Sequence, residues 1–152
     1  MLTGIIVTTS RRPGKRLRSF VKDLASVLPR AERVTRGHLT MQELAVLALN
    51  RGVNRVVVVA ERRGNPGIIR VYEPKPAPPR LENIVSFIVK GVSLSREKQV
   101  PQPKRVDTLA VKPLDDGLSV EIGDAMLLAF NARLLCRGRY CVEALSLIHI
   151  SE

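Results

Sequence analysis

The apolar positions change period along the chain, and each change predicts an element. Gly4 to Thr8 is a short apolar run of the length of a buried strand. From Pro13 to Leu28 the period becomes 3.6. Leu17, Phe20, Val21, Leu24, Ala25 and Leu28 form one stripe, while Lys15, Arg16, Arg18 and Lys22 lie off it. Pro13 suits a first helical turn and Pro29 stops the helix. Glu32 to Arg36 reads as a brief strand. Thr40-Met41-Gln42-Glu43 then has the T-x-x-E form of a capping box, opening a second helix that runs to Asn50 with Met41, Leu44, Ala45, Leu47 and Ala48 inward. Gly52 stands where a left-handed C-cap belongs. Arg55 to Ala60 is a continuous β-branched run, the signature of a strand buried on both faces. Glu61 to Gly67 is rich in breakers, and Ile68 to Tyr72 returns as an antiparallel partner.

The order β-α-β-α-β predicts an α/β fold with helix crossovers over a mixed sheet. Pro74 to Pro79 holds four prolines in six positions and reads as a stiff connector between two halves, a basic βαβαββ half at 1–75 and a βββαβ half at 80–152. In the second half a long strand is expected over Ile84 to Leu94 and a polar loop over Ser95 to Arg105. Two strands, Val106 to Val111 and Leu118 to Ile122, are expected around an Asp116-Gly117 hairpin signal. A helix from Asp124 to Leu135, with Ala125, Leu128, Ala129 and Leu135 inward, and a final strand from Tyr140 to Ile150 complete the pattern. At 152 residues the chain has enough apolar content, 45%, for a core, which must be built from aliphatic side chains because aromatics make up only 3%.

Charge changes the picture more than composition does. There are 25 Lys and Arg against 14 Asp and Glu. Residues 1–75 carry 15 basic and 5 acidic side chains, net +10; the remainder carries 10 and 9, net +1, so the two parts recover the total of +11. Arg outnumbers Lys 18 to 7, which suits bidentate phosphate contacts. The alternative, an Arg-rich solvated surface, ordinarily brings matching Glu, and those acids are missing here. Five cations, Arg11, Arg12, Lys15, Arg16 and Arg18, stand within eight residues where the first strand turns into the first helix. A helix N-terminus adds free N–H groups and the positive end of its dipole. This is a surface for phosphate, with Lys22 continuing it along the helix and Arg62 and Arg63 adding to it from the turn. Thr8, Thr9 and Ser10 are open to two readings, hydroxyl donors to a phosphate or residues that merely start the helix.

Catalytic and metal chemistry find little support. No Walker loop, G-x-G-x-x-G, H-E-x-x-H, G-x-S-x-G or C-x-x-C pair occurs. Cys136 and Cys141 with His149 do not complete a zinc site. Buried apolar cysteines are expected, with a disulfide as the alternative. His38 and His149 read as structural or exposed. Neither cofactor nor metal is expected. No run of apolar residues approaches a membrane span and no signal pattern opens the chain, so the cytoplasm is the expected compartment.

Ile5-Ile6-Val7-Thr8-Thr9-Ser10-Arg11-Arg12-Pro13, the basic cluster that follows, Arg18-Ser19-Phe20-Val21-Lys22-Asp23-Leu24, and then Leu28-Pro29 resemble the opening signature of Brix-domain ribosome biogenesis proteins. Val89 to Glu97 is similar to the archaeal members in particular. The resemblance implies a single domain over 1–152 made of two α/β halves, each similar to the anticodon-binding domain of class IIa aminoacyl-tRNA synthetases. It implies a non-enzymatic role in ribosome assembly. The partner it implies is pre-ribosomal or other structured RNA, together with other assembly proteins, and neither a membrane nor a small-molecule substrate. With so few aromatics, recognition should rest on backbone and shape rather than base stacking. Two other readings stand beside this one. The first is an anticodon-domain-like module for tRNA or a protein, without a ribosomal role. The second is an enzyme on a phosphorylated small molecule, which requires a deep pocket beside Thr8 to Gly14.

Overall fold

Five strands form one mixed sheet, and the chain enters it through its middle. The computed structural model describes residues 4–94, 97, 99, 110–111, 117–131 and 133–134. The elements are β1 (Gly4–Thr9), α1 (Lys15–Val27), β2 (Ala31–Arg33), α2 (Met41–Arg51), β3 (Val53–Arg62), β4 (Asn65–Lys75), β5 (Arg80–Ile88), β6 (Ala110–Val111), α3 (Gly117–Phe130) and β7 (Arg133–Leu134). The sheet order is β2-β1-β3-β4-β5. β1 pairs in parallel with β2 on one side and β3 on the other, while β3–β4 and β4–β5 are antiparallel.

Because β1 lies between β2 and β3, its two crossovers run in opposite directions across the sheet. Right-handed connections then require the helices to lie on opposite faces. Two separate cores confirm this. On one face Leu17, Val21, Ala25 and Leu28 of α1 and its end pack with Ile5, Val7, Val57, Val59 and Val71. On the other, Ala48 of α2 packs with Ile6, Val53, Val56 and Val58. The β-branched run of β3 is thus buried from both sides, as its sequence requires. The expected stripe of α1 is the packed one, with Phe20 and Leu24 half-buried at its margin.

Local chemistry explains where the elements stop. Thr40 Oγ1 accepts from the Glu43 N–H at 3.1 Å and the Glu43 carboxylate accepts from the Thr40 N–H at 2.7 Å, a complete capping box. Gly52 adopts φ 67° and closes α2 in the left-handed conformation. The breaker-rich stretch after β3 is tighter than the sequence suggests. Only Arg63 and Gly64 form the loop, both at positive φ, 54° and 78°, which is the backbone of a type I′ hairpin turn.

Several expectations are corrected. Pro74 to Pro79 is not an extended connector. Pro74 and Lys75 belong to β4, and residues 76–79 form a turn into β5, which pairs along β4 from Lys75↔Arg80 to Ile68↔Ile88. Proline is tolerated because these positions lie at a strand end and turn, where a ladder N–H is dispensable. β2 ends at Arg33, which leaves Arg36 in the following loop. The strand expected at Leu118 to Ile122 lies within α3, which begins at Gly117. A short apolar run does not distinguish helix from strand by period alone. Here packing decides, since Ala129 and Phe130 join the α1-side core and the Phe87 and Phe130 rings stack with centroids 6.1 Å apart. Leu128, expected inward, is exposed. β6 and β7 pair in parallel, the arrangement a helical crossover permits. Cys136, Cys141, His149, the expected final strand and most of the expected 95–105 loop lie outside the described residues.

Leu17 is fully buried and Thr40 is an exposed cap. Leu17→Ala should therefore cost about 2–5 kcal/mol, and Thr40→Ala about 1 kcal/mol, as read from denaturant unfolding of the two variants.

Candidate nucleic-acid interface

Three loops leave the carboxyl ends of the parallel strands: residues 10–14 after β1, residues 34–40 after β2 and the Arg63-Gly64 turn after β3. Parallel pairing puts all three at one edge of the sheet. β4 begins and β5 ends at that same edge, which adds the segment after Ile88. The sequence places Arg11, Arg12, Lys15, Arg16, Arg36, Arg62, Arg63 and Lys90 in or beside these connections.

Two contacts tie the start of α1 to the hairpin tip. The Gly14 N–H donates to Glu61 Oε1, and Arg16 donates to Asn65 Oδ1. A register shift between Ala60 and Glu61 lies where the Glu61 side chain turns toward the helix. A groove of about 430 Å³ opens beside this junction, lined in part by Arg16, Arg62, Arg63, Asn65, Lys90 and Gly91.

The individual cations fare differently. Arg11, Arg12, Lys15, Arg18, Lys22, Arg62 and Arg63 are exposed. Arg12 holds φ 56°, a left-handed turn residue between strand and helix. Arg16 departs from expectation. Its guanidinium donates to the Val92 carbonyl at 3.0 Å and to Glu97 Oε2 at 2.9 Å, besides Asn65, so it clamps three segments together rather than standing free. Lys22 lies two turns along α1, beside a shallow groove shared with Ser26, Glu32 and Arg33, apart from the hairpin tip.

The N-terminus of α1 also differs from expectation. It already faces an anion of the chain's own, the Glu61 carboxylate on Gly14. Thr8 and Thr9 do not present hydroxyls to solvent. They are buried in β1 opposite Val58 and Val59, and Thr8 Oγ1 has no hydrogen-bond partner among the described residues. Ser10, half-buried, donates its N–H to the Val59 carbonyl at 2.9 Å.

Arg36 is the residue that sequence reading missed. It is only 7% exposed, its Nε donates to the Leu39 carbonyl at 2.6 Å, and its Nη1 donates to the Thr9 carbonyl at 3.3 Å. Burial pushes its pKa down, and the neighbouring Arg11 charge pushes the same way, while Tyr72 acts in the opposite sense. The available signal was positional, a cation just past the carboxyl end of a parallel strand. His38, in the same loop, is exposed.

Several nearby acids are engaged away from this edge. Lys75 pairs with Glu73 at 3.2 Å and Arg80 with Glu82 at 3.1 Å at the opposite edge, Arg51 pairs with Glu32, and Glu43 serves the α2 cap. The carboxyl edge keeps its positive excess. Among the described residues no three His, Cys, Asp or Glu side chains gather as a metal site, and no helix is long and apolar enough to cross a membrane.

Comparison with known proteins follows the fold. No protein-family model matches the chain. A probable Brix domain-containing ribosomal biogenesis protein of Aeropyrum pernix is 58% identical over 130 residues, 84% of this chain and 72% of that one. A protein of the same description from Methanopyrus kandleri is 40% identical over 91 residues, 60% of this chain but 46% of its own. The crystal structure of a probable ribosomal biogenesis protein from Aeropyrum pernix superposes with a TM-score of 0.79 at 55% identity, covering 95% of this chain and 78% of that one. The crystal structure of an archaeal Imp4-like protein shares the fold at a TM-score of 0.59 and 17% identity, over 86% of this chain and 72% of that one. A mixed α/β protein with a basic edge is thus placed by its relatives. The chain belongs to the Brix domain-containing ribosomal biogenesis proteins.

Two outcomes test the geometry of this edge. A Cβ on Gly14 would stand 2.6 Å from Glu61 Oε1. Gly14→Ala should therefore displace the carboxylate and cost about 1–2 kcal/mol, a cost that disappears in a Glu61→Ala background and so appears as coupling in a double-mutant cycle. Thr8→Val, which removes an unpartnered buried hydroxyl, should leave stability unchanged or raise it by about 1 kcal/mol in denaturant titration.

Proposed function

We propose that the protein is a non-catalytic RNA-binding factor of ribosome biogenesis that holds pre-ribosomal RNA against the carboxyl edge of its sheet. The observation that carries this reading is the gathering of Arg11, Arg12, Lys15, Arg62 and Arg63 at one edge, exposed, with the acid that precedes the hairpin tip, Glu61, turned onto a backbone N–H. Arg18 and Lys22 extend the surface along the outer side of α1. Arg16 serves by positioning, since it locks the helix start to the hairpin tip and the 92–97 segment. The names of the relatives, ribosomal biogenesis proteins, support the same role.

Phosphate contacts then supply most of the affinity, and shape supplies the selection. The likeness to class IIa anticodon-binding domains belongs to this proposal, supported by helices on both sheet faces and basic loops at one edge. The cytoplasm and partnership with other assembly proteins belong to it as well.

Five phosphate contacts, one for each exposed edge cation, give a log–log salt slope of about −3.5 to −4.5. Binding of a structured ribosomal RNA fragment, followed by fluorescence anisotropy across a salt series, should show that slope, and a salt-insensitive affinity would refute the mechanism. Neither Arg11 nor Arg12 donates a hydrogen bond to another described residue, so Arg11→Ala with Arg12→Ala should weaken binding roughly tenfold or more while leaving Tm nearly unchanged. A large drop in Tm would instead make these arginines structural.

A further inference from the structure

Arg36 poses a problem that the RNA-facing surface does not solve. Arginine side chains are rarely this deeply buried without a paired anion. Here two carbonyl oxygens, of Thr9 and Leu39, take Nη1 and Nε, and no carboxylate among the described residues forms an ion pair with the guanidinium. The carbonyl it holds, that of Thr9, lies two residues before another cation, Arg11, which stands exposed just past the end of β1. Two cations therefore share the carboxyl end of β1, and the fold itself holds one of them there.

The place where this happens is informative. The connection after β1 leaves toward the α1 face, and the connection after β2 leaves toward the α2 face. Adjacent parallel strands whose following loops diverge leave a crevice outside their carboxyl ends, where open α/β sheets bind ligands. Arg36 lies at that point because its loop is drawn across to the end of β1 by the Thr9 carbonyl. The two carbonyls engage Nε and Nη1, and Nη2, which lies between them, has no partner among the described residues. The guanidinium is thus oriented before any ligand arrives, and Nη2 is left to donate a charge-assisted hydrogen bond to a phosphate oxygen.

We propose that Arg36 and Arg11 form a phosphate subsite in the crevice outside the carboxyl ends of β1 and β2, which takes one phosphodiester of a polynucleotide backbone. The subsite rests on the RNA-binding reading for the identity of its ligand, but not for its affinity for phosphate. An anion there relieves the repulsion between the two arginines and offsets the burial of Arg36. The other exposed cations make contacts that any sequence-independent surface makes, whereas this one sets the register of the backbone against the sheet.

Inorganic phosphate is the probe, titrated into the intact protein at constant ionic strength with chloride as the balancing anion, and Tm is the readout. Wild-type protein at about ten times the phosphate Kd should gain roughly 3–6 °C over the chloride control. Arg36→Gln should abolish the gain, whatever it does to Tm without phosphate. Arg11→Gln, an exposed change that leaves the core intact, should cut the gain by half or more. Arg70→Gln, an exposed change on β4 outside the proposed surface, should leave it whole. A purely structural Arg36 predicts instead that Tm falls equally with and without phosphate. A wild-type response no larger than that to chloride, or one that survives in both Arg36→Gln and Arg11→Gln, overturns the subsite.

Anisotropy with structured RNA forms the second arm. Arg36→Gln should lower affinity about tenfold and reduce the salt slope by about one. If RNA binding requires Arg62 and Arg63 but is indifferent to Arg36, the subsite fails and the RNA reading stands. If the Arg36-dependent phosphate response is present but wild-type protein binds no RNA, the subsite stands and the RNA reading fails.

Discussion

The position of β1 as the middle strand of a parallel trio is the constraint on which the rest of the basic surface depends. Parallel pairing aligns the carboxyl ends of β1, β2 and β3 at one edge, so every loop that leaves them must begin there. The opposed directions of the two crossovers send α1 and α2 to opposite faces, which buries Ile5 and Val7 on one side and Ile6 on the other. A six-residue strand buried on both faces has little freedom to shift register, because a slip of one residue exchanges its two faces. The loop cations inherit that rigidity. Their backbone origins are set by the deepest part of the core rather than by contacts among themselves, which would be repulsive.

Electrostatics at this edge come from what is absent from it as much as from what is present. Surface ion pairs contribute little to stability, on the order of 0–1 kcal/mol each, yet they decide where charge is left over. Glu73 and Glu82 neutralise neighbours at the far edge, and Glu32 answers Arg51. Glu97 answers Arg16 at the basic edge, and Glu61, in its middle, is turned onto the Gly14 N–H. It anchors the helix start to the sheet, and in doing so it occupies a position that an external phosphate would otherwise find attractive. The positive potential of this edge therefore comes from side chains on the turn and the hairpin tip more than from the helix dipole.

The likeness to Aeropyrum pernix proteins extends over most of the chain, and the first half carries the features that connect the sequence to the surface. Much of that half was legible without coordinates. The α1 stripe, the capping box at Thr40 and Glu43, the left-handed Gly52 and the all-buried β3 are local patterns, in which a few neighbouring residues and a period suffice. The misreadings share one cause. Pro74 to Pro79 has the composition of a linker, but β4 and β5 pair across it, and only the partner strand shows that. The run beginning at Leu118 has no period that separates strand from helix, and the stacking of Phe130 on Phe87 belongs to the tertiary structure.

The candidate site divides along the same line. Sequence alone determined that the first half is strongly basic, that the cations cluster at a strand-to-helix turn, and that the turn opens an amphipathic helix, because charge and periodicity are properties of adjacent residues. Tertiary structure decided which of those cations remain available. Arg16 is consumed by Asn65, Val92 and Glu97, partners 49, 76 and 81 positions away, and no local pattern encodes such distances. Thr8 and Thr9 are interior because β3 runs beside them and Arg36 of the β2–α2 loop closes over the Thr9 carbonyl, both facts of topology. Arg36, unremarkable in its own segment, becomes a buried cation beside Arg11 only when the β2–α2 loop is laid across the end of β1. Burial and long-range pairing depend on topology, and these decide which charges a ligand can meet.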